Sequence, residues 1–210
     1  KADRQFYTRQ GGDFSRIIRK GNSPADYTWE VTDKQGIKYI YGGEGAVLKG
    51  TITDASGQSR EVITEWKLKR VEETHGDYIE YVYETADEPV RGGLVAKAIY
   101  LKEVRAGNSG QAPHTVVVLE GSKQKRLKNN NARYGFLTSS NRLLEKLTVH
   151  FQGSTLRSYA FTYGEGAFNK DVLTGVKQLD DKGAEVSYQN FDYYDDVQAA
   201  KGYVPFKNSR

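Results

Sequence analysis

The sequence contains no cysteine and no methionine among its 210 residues, and it contains only four prolines. The absence of cysteine excludes a disulfide scaffold, a cysteine-based zinc or redox site, and thiol catalysis. The longest apolar run is Val116–Leu119, far short of the roughly 20 residues that a membrane-spanning helix needs. No signal-peptide pattern opens the sequence. We therefore expect a water-soluble segment, either a processed chain or a part of a larger protein, because it begins at Lys1.

The composition is polar but aromatic, with 28% charged residues, 12% aromatic residues, 15 tyrosines and 22 glycines. Such a chain is too rich in aromatic residues to be disordered. The net charge of +4 is a weak global field, but the charges are unevenly placed. Residues 121–144 are basic and residues 180–196 are mainly acidic, which is typical of contact surfaces or of solvated loops.

Alternation with a period of two dominates the sequence and predicts half-buried β-strands. Ile79, Tyr81 and Tyr83 alternate with polar residues, and Tyr159, Phe161 and Tyr163 do the same. Turn sequences with glycine separate these stretches every ten to twenty residues or so, as in a chain of hairpins. We predict an all-β fold.

A repeated pattern carries more information than any single motif. A Leu-x-x-Val/Leu element, then a turn, precedes a strand with alternating large residues. The element occurs at Leu68/Val71, Leu101/Val104, Leu144/Leu147 and Leu173/Val176, with a cruder copy from Trp29 to Tyr41. This predicts a curved antiparallel sheet of four or five β-hairpins, each of roughly 20 to 30 residues.

We expect residues 1–210 to form a single β-repeat domain that is a segment of a larger protein. We expect residues 1–26 and 196–210 to be less regular, and stretches 42–60, 84–97 and 121–141 to be irregular insertions. No stretch is a convincing interdomain linker. The predicted sheet has two open edges unless neighbouring chain covers them.

The stretch from Trp66 to Glu84 resembles a phrase of large bacterial toxins, W-x-L-x-x-I/V-x-D-x-x-G-N-x-I-x-Y-x-Y. Further phrases agree in order, at 100–104, 142–147, 157–163 and 173–176. This resemblance, over roughly residues 27–195, is to the SpvB family, the B component of insecticidal toxin complexes and the wider Rhs/YD-repeat proteins. The sequence departs from the phrase at Glu73 and Asp77, and a clean Tyr-Asp pair occurs only at Tyr194-Asp195.

The resemblance implies a hollow β-sheet shell that encloses a toxic polypeptide in larger relatives, with any enzymatic activity in another domain. It implies a secreted or cell-surface virulence protein, and as partners it implies neighbouring repeats or a toxin polypeptide. It gives no site residues for a cofactor.

The predicted structural aromatic face consists of Trp29, Trp66, Tyr81, Tyr83, Tyr159, Phe161, Tyr163, Phe191 and Tyr193. If these residues form the core, replacing Tyr81, Tyr83, Phe161, Tyr163 or Tyr193 with Ala should cost about 3 to 5 kcal/mol each. If they face outward, they could instead bind a carbohydrate or a peptide, because flat rings stack on sugars and hydroxyls bind sugar edges. An extracellular binding module is therefore the alternative function.

A second candidate surface is a basic contact loop formed by Lys123, Lys125, Arg126, Lys128 and Arg133. Single-stranded nucleic acid would require interleaved aromatic residues, and only Tyr134 and Phe136 lie nearby. We expect a solvated loop and no nucleic acid partner. The three histidines and the adjacent acidic pairs fit no catalytic or metal motif, so we expect no catalytic residues, no metal and no cofactor.

Overall fold

The computed structural model describes residues 3–7 and 15–193. Nearly all regular structure in them is β, apart from one short 3-10 turn at Ala167–Asn169. The first eight strands are β1 (Arg4–Phe6), β2 (Arg16–Lys20), β3 (Thr28–Thr32), β4 (Lys38–Tyr41), β5 (Val47–Thr53), β6 (Ser59–Trp66), β7 (Leu68–Glu72) and β8 (Asp77–Val90). The others are β9 (Leu94–Asn108), β10 (Thr115–Glu120), β11 (Asn130–Asn131), β12 (Thr138–Ser139), β13 (Lys146–Phe151), β14 (Ser154–Glu165), β15 (Asp171–Leu179) and β16 (Glu185–Asn190).

One 14-stranded sheet dominates the described residues. Twelve of its strands follow the order β1-β2-β3-β4-β7-β8-β9-β10-β13-β14-β15-β16, and beside this path β12 pairs with β9 and with β11. All pairs along this path are antiparallel. The predicted hairpins are present as β3–β4, β7–β8, β9–β10, β13–β14 and β15–β16. The all-β prediction and the repeated hairpins are therefore confirmed.

Three of the hairpin turns share one structure, set by an aspartate and a glycine three residues later. The carboxylates of Asp33, Asp54 and Asp180 each accept hydrogen bonds from the backbone N–H groups two and four residues ahead. The glycine in each turn has a φ of 82° to 84°, which side chains other than glycine rarely adopt. These turns fix the register of the strands that they join.

β-Bulges interrupt the sheet immediately before three tyrosines of the repeat. Register shifts lie between Ile40 and Tyr41, between Val82 and Tyr83, and between Thr162 and Tyr163. A bulge bends its strand and increases the local right-handed twist. Bulges at equivalent places in several hairpins therefore explain why the sheet curves instead of lying flat.

Three stretches that we expected to be irregular contain regular strands, and one of them, residues 42–60, contains β5. β1 and β2 lie within residues 1–26, where Ile17 pairs with Val31 and extends the sheet beyond the first predicted hairpin. Residues 84–97 belong to the long β8–β9 hairpin, because Gly92 and Gly93 both have positive φ and form a tight turn. The residues between Glu84 and Pro89 are mainly polar, so the alternation of large apolar residues that predicts a strand stops at Tyr83. Residues 196–210 lie outside the described part of the chain.

Strands β5 and β6 form a separate two-stranded sheet inserted between β4 and β7. The most buried apolar residues include Ala46, Val47, Leu48 and Ile63, at 1% to 9% exposure. Gly50 lies beneath the ring of Phe136, where an added Cβ would be 2.4 Å from ring carbons. The insertion thus packs against the loop between β10 and β13, and a side chain at position 50 would require the Phe136 ring to move.

Candidate functional surface

The two faces of the large sheet differ sharply in chemistry. Residues directly opposite each other on neighbouring strands share a face, so the register defines rows that cross the sheet. One row runs through nine strands: Phe6, Ile17, Val31, Tyr39, Val71, Ile79, Ala106, Thr115 and Phe151. A neighbouring row is Tyr81, Val104, Val117 and Val149. We call the side that carries these rows the apolar face.

The opposite side carries alternating charges, and we call it the charged face. A row on it is mixed and contains Ile18, Glu30, Ile40, Arg70, Glu80, Arg105 and Val116. Arg70 Nε lies 2.7 Å from a carboxylate oxygen of Glu72, and Arg105 lies 2.6 Å from Glu103 and 3.7 Å from Glu80. These pairs largely neutralise one another, so the charged face is suited to contact with water.

The apolar face is only half covered by the chain itself. Among the described residues, no large side chain is fully buried. Ile79 in the middle of the long apolar row is 39% exposed, and Phe151 at its end is 47% exposed. Apolar side chains exposed side by side in this way make the apolar face a candidate interaction surface.

Most of the predicted aromatic residues lie on this face, but they are not a closed core. Trp29, Tyr81, Tyr83, Tyr159, Phe161, Tyr163 and Phe191 are half-buried, and Tyr193 is 53% exposed. Trp66 ends β6 outside the large sheet, and its ring meets that of Trp29 edge-on at 6.2 Å. The cost of about 3 to 5 kcal/mol for a buried aromatic residue therefore does not apply to Tyr193.

The last aromatic residue of three hairpins makes one recurring hydrogen bond. The hydroxyls of Tyr83, Tyr163 and Tyr193 donate to the carbonyls of Leu68, Leu144 and Leu173 at 2.7 to 2.8 Å. Each acceptor is the leucine that opens the Leu-x-x-Val/Leu element. Burial raises the pKa of the Tyr83 and Tyr163 hydroxyls, which keeps them protonated as donors. These tyrosines therefore join the two halves of the repeat.

Several residues of the predicted basic contact loop bind other parts of the same chain. Arg126 binds Asp171 through its backbone N–H at 2.8 Å and its guanidinium at 2.5 Å, and the Asp171 side chain is only 5% exposed. Lys125 donates to a backbone carbonyl, and Arg133 stacks on Tyr134 with 4.7 Å to the ring centroid. Lys123 and Lys128 are exposed. Arg126 thus anchors the loop to β15 and is not free for a partner.

A buried carboxylate that the sequence analysis missed lies at the base of the same loop. Glu88 is 5% exposed and accepts hydrogen bonds from Ser139, from Tyr100 at 2.9 Å and from Arg142 Nε at 3.1 Å. Burial raises the pKa of Glu88, but these three donors outweigh burial and lower the pKa overall. Tyr100 and Arg142 also stack, at 4.6 Å. The sequence near Glu88 does not indicate its partners, because Ser139 and Arg142 lie far away along the chain.

The described residues contain no group of three or more His, Asp or Glu side chains that could hold a metal ion. No helix in this part of the chain is long and apolar enough to cross a membrane. A cleft of about 660 Å³ lies between the β5–β6 insertion and the β8–β9 hairpin. The described residues thus offer two sheet faces and a cleft for contact with another molecule.

A comparison with known families finds SpvB, described as the Salmonella virulence plasmid 65kDa B protein, which matches residues 3–174. No curated protein matches the chain significantly.

Three similar solved structures share the fold. The N-terminal domain of the effector protein SpvB from Salmonella typhimurium has a TM-score of 0.61 at 16% identity, over 84% of this chain and 68% of that domain. A TcdB2–TccC3 structure has a TM-score of 0.66 at 14% identity, over 91% of this chain. The Tc holotoxin pore of Photorhabdus luminescens has a TM-score of 0.62 at 15% identity, over 92% of this chain. The present chain spans only 11% and 12% of the last two.

Proposed function

Because the chain belongs to the SpvB family, we propose that it is a non-enzymatic structural segment of a secreted or cell-surface bacterial protein. In this proposal the sheet forms part of a shell wall, which encloses or presents another polypeptide of the same protein or of a partner. Any enzymatic activity belongs to another domain. The toxin complexes among the structural neighbours are consistent with an association with toxin polypeptides.

The observation that carries the proposal is the asymmetry between the two faces. One row of mainly apolar side chains crosses nine strands, with Ile79 39% and Phe151 47% exposed, while the charges on the other face form ion pairs with one another. Burying apolar surface yields roughly 25 cal/mol per Å², so contact with a polypeptide would stabilise the apolar face most. The wall is therefore oriented with its apolar face toward the enclosed polypeptide and its charged face toward water.

Photo-crosslinking in the full-length protein tests this orientation. Ile79 and Glu80 are neighbours on β8, and their side chains point to opposite faces. With p-benzoylphenylalanine at Ile79, irradiation should link the sheet to a polypeptide segment that lies outside it. The same group at Glu80 should give no such link. Absence of a polypeptide crosslink from Ile79 would contradict enclosure by this face and would favour the alternative binding module.

A further inference from the structure

Two arginines lie side by side on the apolar face, at the end that β1 and β2 form. Arg4 of β1 and Arg19 of β2 are direct partners in the strand register, and the same row continues to Trp29. This row lies two positions along from the row that begins with Phe6 and Ile17, so it belongs to the same face. Like charges directly opposite each other destabilise a strand pair. This end of the apolar face therefore carries two positive charges that repel each other.

Neither Arg4 nor Arg19 forms an ion pair with an acidic residue of the part of the chain that the structure describes. The Nε atom of Arg19 is buried and has no hydrogen-bond acceptor there. The acids of the β2–β3 hairpin are engaged elsewhere, because Glu30 pairs with Lys20 at 2.8 Å and Asp26 accepts N–H groups of its own turn. A buried donor without an acceptor is rare and costs free energy, so an acceptor from another molecule would relieve it.

Aromatic rings hold the Arg19 guanidinium in place. It lies 3.9 Å from the ring centroid of Tyr27 and 5.9 Å from that of Phe6, within the range of cation–π contacts. The Phe6 ring contacts Trp29 at 5.6 Å, and Trp66 Nε1 donates to the Tyr27 carbonyl at 2.6 Å. A guanidinium that stacks on a ring still has its N–H donors in its own plane. These donors are therefore available to a planar acceptor.

We propose that Arg4 and Arg19 bind a carboxylate of the enclosed polypeptide, an aspartate or glutamate side chain at the β1 end of the apolar face. A carboxylate accepts two parallel N–H bonds from one guanidinium, and its charge offsets the repulsion between the two arginines. The surrounding rings exclude water, which strengthens such a pair relative to one in open solvent. The inference rests on the proposed function and deepens it, because it names the chemistry by which the wall recognises one position of its polypeptide.

Carbodiimide coupling in the full-length protein tests the proposal, because this reagent joins a lysine amine to a carboxylate in contact with it. In Arg19→Lys, we expect mass spectrometry to identify a new amide with an aspartate or glutamate of the enclosed polypeptide, outside the 210 residues of this chain. Arg4→Lys should couple to the same stretch, because the two side chains are neighbours. Arg16→Lys is the matched control. Arg16 is exposed but precedes Ile17, so it lies on the charged face and should give no such product.

The outcomes separate this inference from the proposed function. The native pair of Lys20 and Glu30, 2.8 Å apart, provides an internal control for the coupling reaction on the same strand. If p-benzoylphenylalanine at Ile79 links to the polypeptide but neither arginine variant couples to it, the carboxylate site is wrong and the wall still stands. Coupling only to acids within the 210 residues would also overturn the site, because the chain would then neutralise its own arginines. If neither Ile79 nor the arginine variants reach another polypeptide, both proposals fail.

Discussion

The hydroxyl of Tyr83 donates a 2.8 Å hydrogen bond to the carbonyl of Leu68, the first residue of the neighbouring strand β7. The same bond recurs between Tyr163 and Leu144 and between Tyr193 and Leu173. The two signals of the sequence repeat, a leading leucine and a trailing tyrosine, are thus direct partners. The tyrosine ring covers the apolar face while its hydroxyl satisfies a strand-end carbonyl.

Removal of this hydroxyl should weaken the sheet. We expect Tyr83→Phe to lower the free energy of unfolding by about 0.5 to 1.5 kcal/mol, the net value of a typical hydrogen bond. Tyr81→Phe is the matched control, because no described residue bonds the Tyr81 hydroxyl. Urea unfolding of the two variants measures the difference, and equal effects would contradict the role of the bond.

A substitution in the β7–β8 turn should make the protein more stable. Its backbone matches the three aspartate turns, with Gly76 at a φ of 95° and Glu73 N–H donating to the Asp77 carbonyl at 2.9 Å. Glutamate is one methylene longer than aspartate, and within the described residues the Glu73 carboxylate makes no hydrogen bond to this turn. We expect Glu73→Asp to stabilise the protein by about 0.5 to 1 kcal/mol through new bonds to backbone N–H groups.

The reverse change provides the control for the turn. Asp180→Glu should lose the bonds to Lys182 and Ala184 and should destabilise the protein by a similar amount. Urea midpoints of both variants test the pair. A loss of stability in Glu73→Asp would show that the turn backbone differs from that of the other three.

The buried carboxylate of Glu88 should stabilise the fold at neutral pH and lose this effect in acid. Its pKa is lowered in the folded state, so its stabilising effect is complete above the unfolded pKa of about 4.3. This effect is lost as the pH falls through the lower folded pKa. Glu88→Gln should therefore be less stable than the parent at pH 7, and the gap should narrow on acidification to pH 3.

Urea unfolding between pH 3 and 7 measures this gap. An exposed carboxylate supplies the control, since Glu61 is 55% exposed in its pair with Lys49. Glu61→Gln should change stability by less than about 0.5 kcal/mol at any of these pH values. A gap for Glu88→Gln that stays constant with pH would exclude a lowered pKa.

The pair between Arg126 and Asp171 should hold the basic loop in place. We expect Asp171→Asn to speed tryptic cleavage after Lys123, Lys125 or Lys128 by about tenfold, because local opening costs less once the ion pair is lost. Glu165→Gln is the control, since this carboxylate is 3.7 Å from Arg126 and 52% exposed. It should change the cleavage rate by less than about twofold.

The sequence predicts the parts of the fold that depend on local chemistry. Strand alternation around Tyr81 and Phe161, and Asp–Gly turns such as Asp33 to Gly36, give the hairpins directly, because side-chain period and turn geometry are short-range properties. The pairing of hairpins in chain order follows from the short connections between them.

The remainder depends on contacts between residues distant in sequence. Glu88 has its main partners, Ser139 and Arg142, more than 50 positions away, so its burial cannot be derived from neighbouring residues. The sequence also could not predict how exposed the apolar face is, because alternation identifies the apolar side of a strand but not what covers that side. The sequence around Arg126 likewise does not indicate its ion pair with Asp171, which lies 45 positions away along the chain.

A density map of the full-length protein by electron cryomicroscopy tests the central claim most directly. We predict polypeptide density in van der Waals contact with the apolar face along the row that contains Ile79 and Phe151, while Arg70 and Arg105 on the charged face border solvent. An apolar face open to bulk water, or polypeptide packed on the charged face instead, would contradict the account.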